Sequence, residues 1–232
     1  MNYNDQYSPR KFSFLPPVCK NLIIINIILY VATIVLKRVG IDITYLFGLH
    51  HYQAESFGLW QYITYSFIHG NLSHLFFNMF AIWMFGYTLE NIWGTKKFIF
   101  FILTACLGAA FTQQITYHFM YAEITSGLYT HVNVGFDRIP VQEYINNINT
   151  VGSSGIVFGL LLAFVMMFPN DYIYLYFLLP IKTKWFVTGY IILELFNGVV
   201  GSSDGIAHFA HLGGALAGFI LMMLWKKGRL RF

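Results

Sequence analysis

The stretch Asn149-Thr150-Val151-Gly152-Ser153-Ser154-Gly155-Ile156-Val157-Phe158-Gly159 sets a small polar knot directly against an apolar run. From Ile156 to Phe168 no residue is charged, and the run stops at Pro169-Asn170-Asp171. Those thirteen residues rise about 20 Å as a helix, well short of a hydrocarbon core of about 30 Å. If residues 169–171 lie at one membrane face, the helix N-terminus lies at depth. A backbone loop survives there only where protein packs it or a water-filled cavity meets it. Ser153 and Ser154 are therefore expected at a buried, wet helix N-terminus.

Outward from this stretch the chain stays apolar. Of 232 residues 57% are hydrophobic and 10% charged, with a mean hydropathy of +0.58, which excludes an ordinary soluble domain. Apolar segments that could cross a bilayer fall at about 21–36, 72–89, 98–118, 154–168, 185–200 and 205–225. The expectation is one all-α polytopic domain over residues 21–225, with a short N-terminal tail at 1–20 and a basic tail at 226–232. Lys and Arg in short loops stay cytoplasmic. With six crossings, eleven basic residues fall on one side (Arg10, Lys11, Lys20, Lys96, Lys97, Lys182, Lys184, Lys226, Lys227, Arg229, Arg231) and three on the other (Lys37, Arg38, Arg138). Both termini are predicted to be cytoplasmic, the lipid bilayer is the solvent, and the net charge of +4 calls for no nucleic-acid partner. The two cysteines, Cys19 and Cys106, read as free buried thiols. No metal or redox motif uses them, and no cofactor is expected.

The segment 39–70 is unusually aromatic for a loop, with Tyr45, Phe47, Tyr52, Phe57, Trp60, Tyr62, Tyr65 and Phe67. It is expected to lie in the outer interface, where such residues are favoured. His74 and Asn78, four apart, share a helix face, a pair that serves helix contacts as readily as chemistry. Glu194, near Asn197, reads as a paired structural carboxylate. His69 reads as a structural residue at the outer rim and His208 as a packing residue. Gly214 and Gly218 form a small-xxx-small pair that lets another helix approach.

Depth unites three of these segments. The second, fourth and sixth helices run in one direction, so position can be counted back from each inner end. Ser154 lies 16 residues before Asn170, His74 lies 16 before Glu90, and His211 lies 15 before Lys226. At 1.5 Å per residue all three stand about 23 Å above the inner face. A serine hydroxyl needs a base, usually histidine, to become a nucleophile. The oxyanion formed on a carbonyl needs donors already in place, and a helix N-terminus has unpaired N–H groups. One level thus holds the parts of an acyl-transfer site.

The same residues carry a resemblance. Gly152-Ser153-Ser154-Gly155 as G-x-S-G, His74 and Asn78 as H-x-x-x-N, and Ala210-His211 with Gly214 and Gly218 as A-H-x-x-G-x-x-x-G are similar to the rhomboid family, intramembrane serine proteases of a six-helix bacterial type. The likeness runs from about Trp60 to Gly218. It implies Ser154 as nucleophile in preference to Ser153, and His211 as general base in a dyad with no acidic third member. It also implies an oxyanion hole from His74, Asn78 and the Ser154 N–H, with Gly214 and Gly218 packing the sixth helix on the fourth. The substrates implied are single-pass membrane proteins cut in or near the transmembrane segment, in a bacterial inner membrane. Two departures stand out: Trp60-Gln61 replaces a common Trp-Arg, and the 32-residue loop at 119–150 is long for the family. The residues carry no reading of oligomeric state.

Rival chemistries lack their parts. No H-E-x-x-H helix is present for a metalloprotease, and the aspartates fall outside the apolar segments. Paired broken helices of a transporter are not found. The remaining alternative is a rhomboid-like pseudoprotease that binds membrane proteins without cleaving them, which the intact Ser154 and His211 argue against.

Overall fold

Pro17 opens the first helix at a position where no backbone N–H is needed, and α1 runs over Pro17–Lys37. The structure, a computed structural model, describes residues 12–175, 178–200 and 207–228. The connection to the next long helix holds α2 (Ile43–Phe47), β1 (Leu49–His50), α3 (Gln61–Thr64) and a 3₁₀ turn over Tyr65–Phe67. Then α4 (Leu72–Ala81) passes through a wide π turn, Ile82–Gly86, into α5 (Tyr87–Trp93). Gly94, at φ 80°, separates this rod from α6 (Thr95–Tyr121). A hairpin of β2 (His131–Val134) and β3 (Asp137–Pro140), α7 (Val141–Asn146) and β4 (Asn149–Thr150) lead to α8 (Ser154–Met167). A second hairpin, β5 (Tyr172–Leu175) and β6 (Leu179–Lys182), precedes α9 (Thr183–Val200) and α10 (His208–Lys226).

Four of the helical segments, α1, Leu72–Trp93, α6 and α10, are long and apolar enough to cross a membrane, and α8 is shorter. The expected start of the last helix at residue 205 lies outside the described residues, as do residues 1–11 and 229–232 of the two tails.

The sequence places Glu90 near the inner end of the second helix. In the fold it is buried. Its two carboxylate oxygens accept the backbone N–H groups of Val18 and Cys19, each at 2.9 Å. Helix α1 has no side-chain cap of its own, so the neighbouring helix supplies one. The second helix then continues three residues past Glu90 to Trp93.

The aromatic loop is partly packed into the bundle. Trp60 is exposed, but Tyr65 is buried and its hydroxyl donates to the Cys106 carbonyl at 2.9 Å. Gln61 is fully buried. Its Oε1 accepts from the His50 N–H, and its Nε2 donates to the Ser56 carbonyl at 2.8 Å. The amide thereby ties the two halves of the loop together. Strand β1 pairs antiparallel with β4, Leu49 opposite Thr150, so the loop is stitched to the residues just before Gly152. Cys19 and Cys106 are free and buried.

Small residues let α6, α8 and α10 meet backbone to backbone. A Cβ on Gly214 would fall on the carbonyl oxygen of Gly155, and one on Gly218 would stand 3.3 Å from the Gly159 Cα. On the other side of α10, a Cβ on Gly213 would fall on Thr112. Gly214→Val is expected to destabilise the fold by about 3 kcal/mol through overpacking. The two buried thiols offer the readout: in detergent, Cys19 and Cys106 should react with a thiol dye at a lower temperature in the variant.

His51 gives a pH dependence. It is fully buried in the first loop, stacked on Tyr52 at 4.6 Å. Burial pushes its imidazole below the ordinary value, with His118 adding to the shift. A histidine depressed in the fold takes up a proton more readily when unfolded, so its contribution is present above pH about 6.5 and is lost as pH falls below it. The protein should melt at a lower temperature at pH 5 than at pH 7.5, and His51→Phe should narrow that difference.

Candidate active site

The turn that begins α8 is held by Gly152, whose φ of 121° lies in the left-handed region. Its N–H donates to the Tyr65 carbonyl at 2.9 Å. A Cβ there would stand 2.6 Å from the imidazole of His74, so both conformation and space select glycine. Ser153 caps the helix with its carbonyl, which accepts the Val157 N–H at 3.0 Å, while its own hydroxyl lies 3.4 Å from His69 Nε2. Ser154 is the first residue of α8, where backbone N–H groups have no partner within the helix. Its Oγ stands 2.8 Å from Nε2 of His211.

Three neighbours fix the His211 ring. It stacks on Phe158 with centroids 4.5 Å apart and planes at 9°. Its Nε2 faces Ser154, and its Nδ1 lies 2.9 Å from Glu194 Oε2. The same oxygen lies 2.7 Å from Nδ1 of His208. An ionised carboxylate only accepts, so both Nδ1 atoms carry hydrogens that point at Glu194. His211 then has its lone pair on Nε2, aimed at the Ser154 hydroxyl, as a base requires. These three side chains are buried, at 4%, 5% and 8% exposure for Glu194, His208 and His211.

A second polar group stands across the serine. Asn71 caps α4 by accepting the His74 N–H at 2.8 Å, which sets His74 in the first turn, beside Gly152. Asn78 is buried one turn further on, and its Nδ2 lies 3.1 Å from His69 Nε2. An amide NH₂ only donates, so His69 accepts and is neutral. One N–H of Asn78 is thereby held and the other remains for a further acceptor. The His69 and His74 rings lie edge to face with centroids 4.9 Å apart.

Ser154, His211 and His74 thus meet around Gly152, and Asn78 joins them through His69. Three residues have larger parts than their sequence positions suggested. His69, read as a structural residue at the outer rim, is a buried link between Ser153 and Asn78. Glu194, read as a structural carboxylate, bonds the expected base directly, so an acidic third member stands where the motif implies none. His208 touches the same carboxylate and does more than pack. The signals available were the lone carboxylate of its helix and the i, i+3 pair of histidines. Among the described residues, Glu194, His208 and His211 are also the one group whose donor atoms, within 4.8 Å of one another, could share a cation. Both histidines instead turn Nδ1 to the carboxylate at hydrogen-bond distance.

The rhomboid domain model matches residues 56–227, a span that contains every residue described above as part of the site. The chain belongs to the rhomboid family. Its relatives include RHOMBOID-like protein 12, mitochondrial, of Arabidopsis thaliana, 28% identical over 73% of this chain and 47% of that protein. Rhomboid protease AarA of Providencia stuartii is 27% identical over 78% of this chain and 61% of its own length. Rhomboid-like protein 11, chloroplastic, of Arabidopsis thaliana is 25% identical over 89% and 64%. The chain therefore spans about half to two thirds of the length of these curated relatives.

In this rhomboid the glycine before the two serines bears on both the turn and His74. Gly152→Ala is expected to cost about 1–3 kcal/mol in backbone strain and to push the His74 ring away. A lower melting temperature in the thiol assay checks the first effect.

Proposed function

We propose that this rhomboid is an intramembrane serine endopeptidase that cleaves single-pass membrane proteins in or near their transmembrane segments. Ser154 is the nucleophile and His211 the general base. The observation that carries this reading is the 2.8 Å approach of Ser154 Oγ to a His211 Nε2 whose lone pair faces it. The Ser154 proton passes to Nε2 as the oxygen attacks the scissile carbonyl. Negative charge on the carbonyl oxygen is met by the Ser154 N–H, the free N–H of Asn78, and His74. His211 then gives its proton to the leaving amine, and water repeats the sequence to release the acyl group.

Support for the membrane setting comes from the short α8, whose start at depth leaves room for the water that hydrolysis consumes. In this reading six helical segments make up the membrane bundle, with α8 entering from one face and starting at depth, and the basic residues hold both termini in the cytoplasm. A bacterial inner membrane suits that arrangement. The Providencia relative is a rhomboid protease, which favours an active enzyme over a pseudoprotease.

Purified Ser154→Ala, assayed on a panel of single-pass substrates in proteoliposomes, is expected to lose activity by at least about 10³-fold. A fluorophosphonate should label wild-type Ser154 and leave the variant unlabelled. Retained cleavage by the variant defeats the reading, and an unlabelled, inert wild type favours the pseudoprotease. Asn78→Ala should lower kcat by about 10²- to 10³-fold while leaving labelling confined to Ser154.

A further inference from the structure

We propose that Glu194 is a positioning residue for the base, so that this rhomboid works with a Ser154–His211–Glu194 triad anchored by His208. The inference rests on the Ser154/His211 reading above and adds to it a third and a fourth member.

The geometry that carries it is the sharing of one oxygen. Glu194 Oε2 accepts from His211 Nδ1 at 2.9 Å and from His208 Nδ1 at 2.7 Å. A carboxylate held by one hydrogen bond can still rotate about its Cγ–Cδ bond. Two donors three residues apart at the start of α10 fix that rotation and direct the oxygen at the base. A buried carboxylate without donors is very unfavourable, and the two imidazole N–H groups satisfy it.

The approach of α9 to α10 is built for this contact. Gly198 lies one turn beyond Glu194, and a Cβ there would stand 3.2 Å from the Phe209 ring and 3.3 Å from the His208 Cβ. A larger residue would hold the helices apart and lengthen the bonds to Glu194. On its other face the His211 ring is closed by Phe158. The base is thus fixed at its plane, at Nδ1 and at Nε2.

The chemistry follows from the tautomer. With Nδ1–H donated to Glu194, the lone pair sits on Nε2. When that nitrogen takes the serine proton, the new imidazolium faces an ionised carboxylate at hydrogen-bond distance. The proton stays on His211 and goes to the leaving amine, and Glu194 remains ionised throughout. In Glu194→Gln the amide NH₂ can donate to Nδ1, which places the hydrogen of His211 on Nε2 and removes the base.

The test compares wild type, Glu194→Gln and Glu194→Asp in proteoliposomes, with cleavage kinetics and the rate of fluorophosphonate labelling of Ser154. Glu194→Gln is expected to lose at least about 100-fold in kcat with KM within about threefold, and Glu194→Asp to recover at least about tenfold of that loss. A Glu194→Gln enzyme whose kcat and labelling rate stay within about threefold of wild type overturns the proposal. A wild type that neither cleaves nor labels overturns the peptidase reading instead, so the two failures are distinct. Because the variant could fail to fold, ¹⁵N-histidine spectra of the wild type give an independent decision. His211 is expected as the Nδ1–H tautomer with a strongly deshielded Nδ1 proton; an Nε2–H tautomer overturns the proposal without any variant.

Discussion

The contact between Gly155 and Gly214 governs most of what this bundle can do. Helices α8 and α10 touch through backbone atoms, and no side chain fits between them. Lipid tails are as apolar as leucine, so such helices associate through close packing and polar contacts and not through the exclusion of water. The closeness has a chemical result. Ser154 begins one helix and His211 belongs to the first turn of the other, 57 residues away in sequence. Their 2.8 Å separation exists only because the backbones below them are in contact. Glycines with no polar side chain of their own thus set the spacing of the two polar side chains above them.

Polar groups inside the bundle are satisfied in chains. Ser154 meets His211, which meets Glu194, which also meets His208. Across the serine, Asn78 meets His69, and the Ser153 hydroxyl lies near the same ring nitrogen. In a low-dielectric interior an unpaired polar group is very unfavourable, so a half-built chain would destabilise the fold. The serine thus stands between two networks, one that orients an imidazole and one that holds an amide. The first comes from α9 and α10, the second from α4 and the loop before it.

Much of this was legible in the amino-acid sequence. The apolar segments gave the long helices, and counting back from their inner ends aligned Ser154, His74 and His211. That count took Glu90 as the inner end of the second helix, and Glu90 is buried against the start of α1. The helix ends three residues later at Trp93, a difference of less than one turn. Glu194 and His69 were not legible, because their roles depend on which helix faces which. A carboxylate on α9 reads the same whether it meets lipid, a loop or a histidine until α9 is laid against α10. Gln61 is similar: its place in the Trp60-Gln61 pair says that an arginine is missing, and only the fold reveals the amide bridging the first loop.

The wide turn at Ile82–Gly86 solves a problem of phase. Asn78 and Glu90 are twelve residues apart, which in a regular α-helix sets them about 120° apart around the axis. Both are nonetheless buried, one against His69 and the other beneath α1. A π turn takes up about one extra residue, or about 100° of rotation, and brings the two back to nearly the same meridian. One rod can therefore turn Asn78 toward His69 and Glu90 toward the first helix without twisting either polar group into lipid. The irregularity works as a phase correction, letting the register at the candidate site and the register of the architecture be set separately along a single helix.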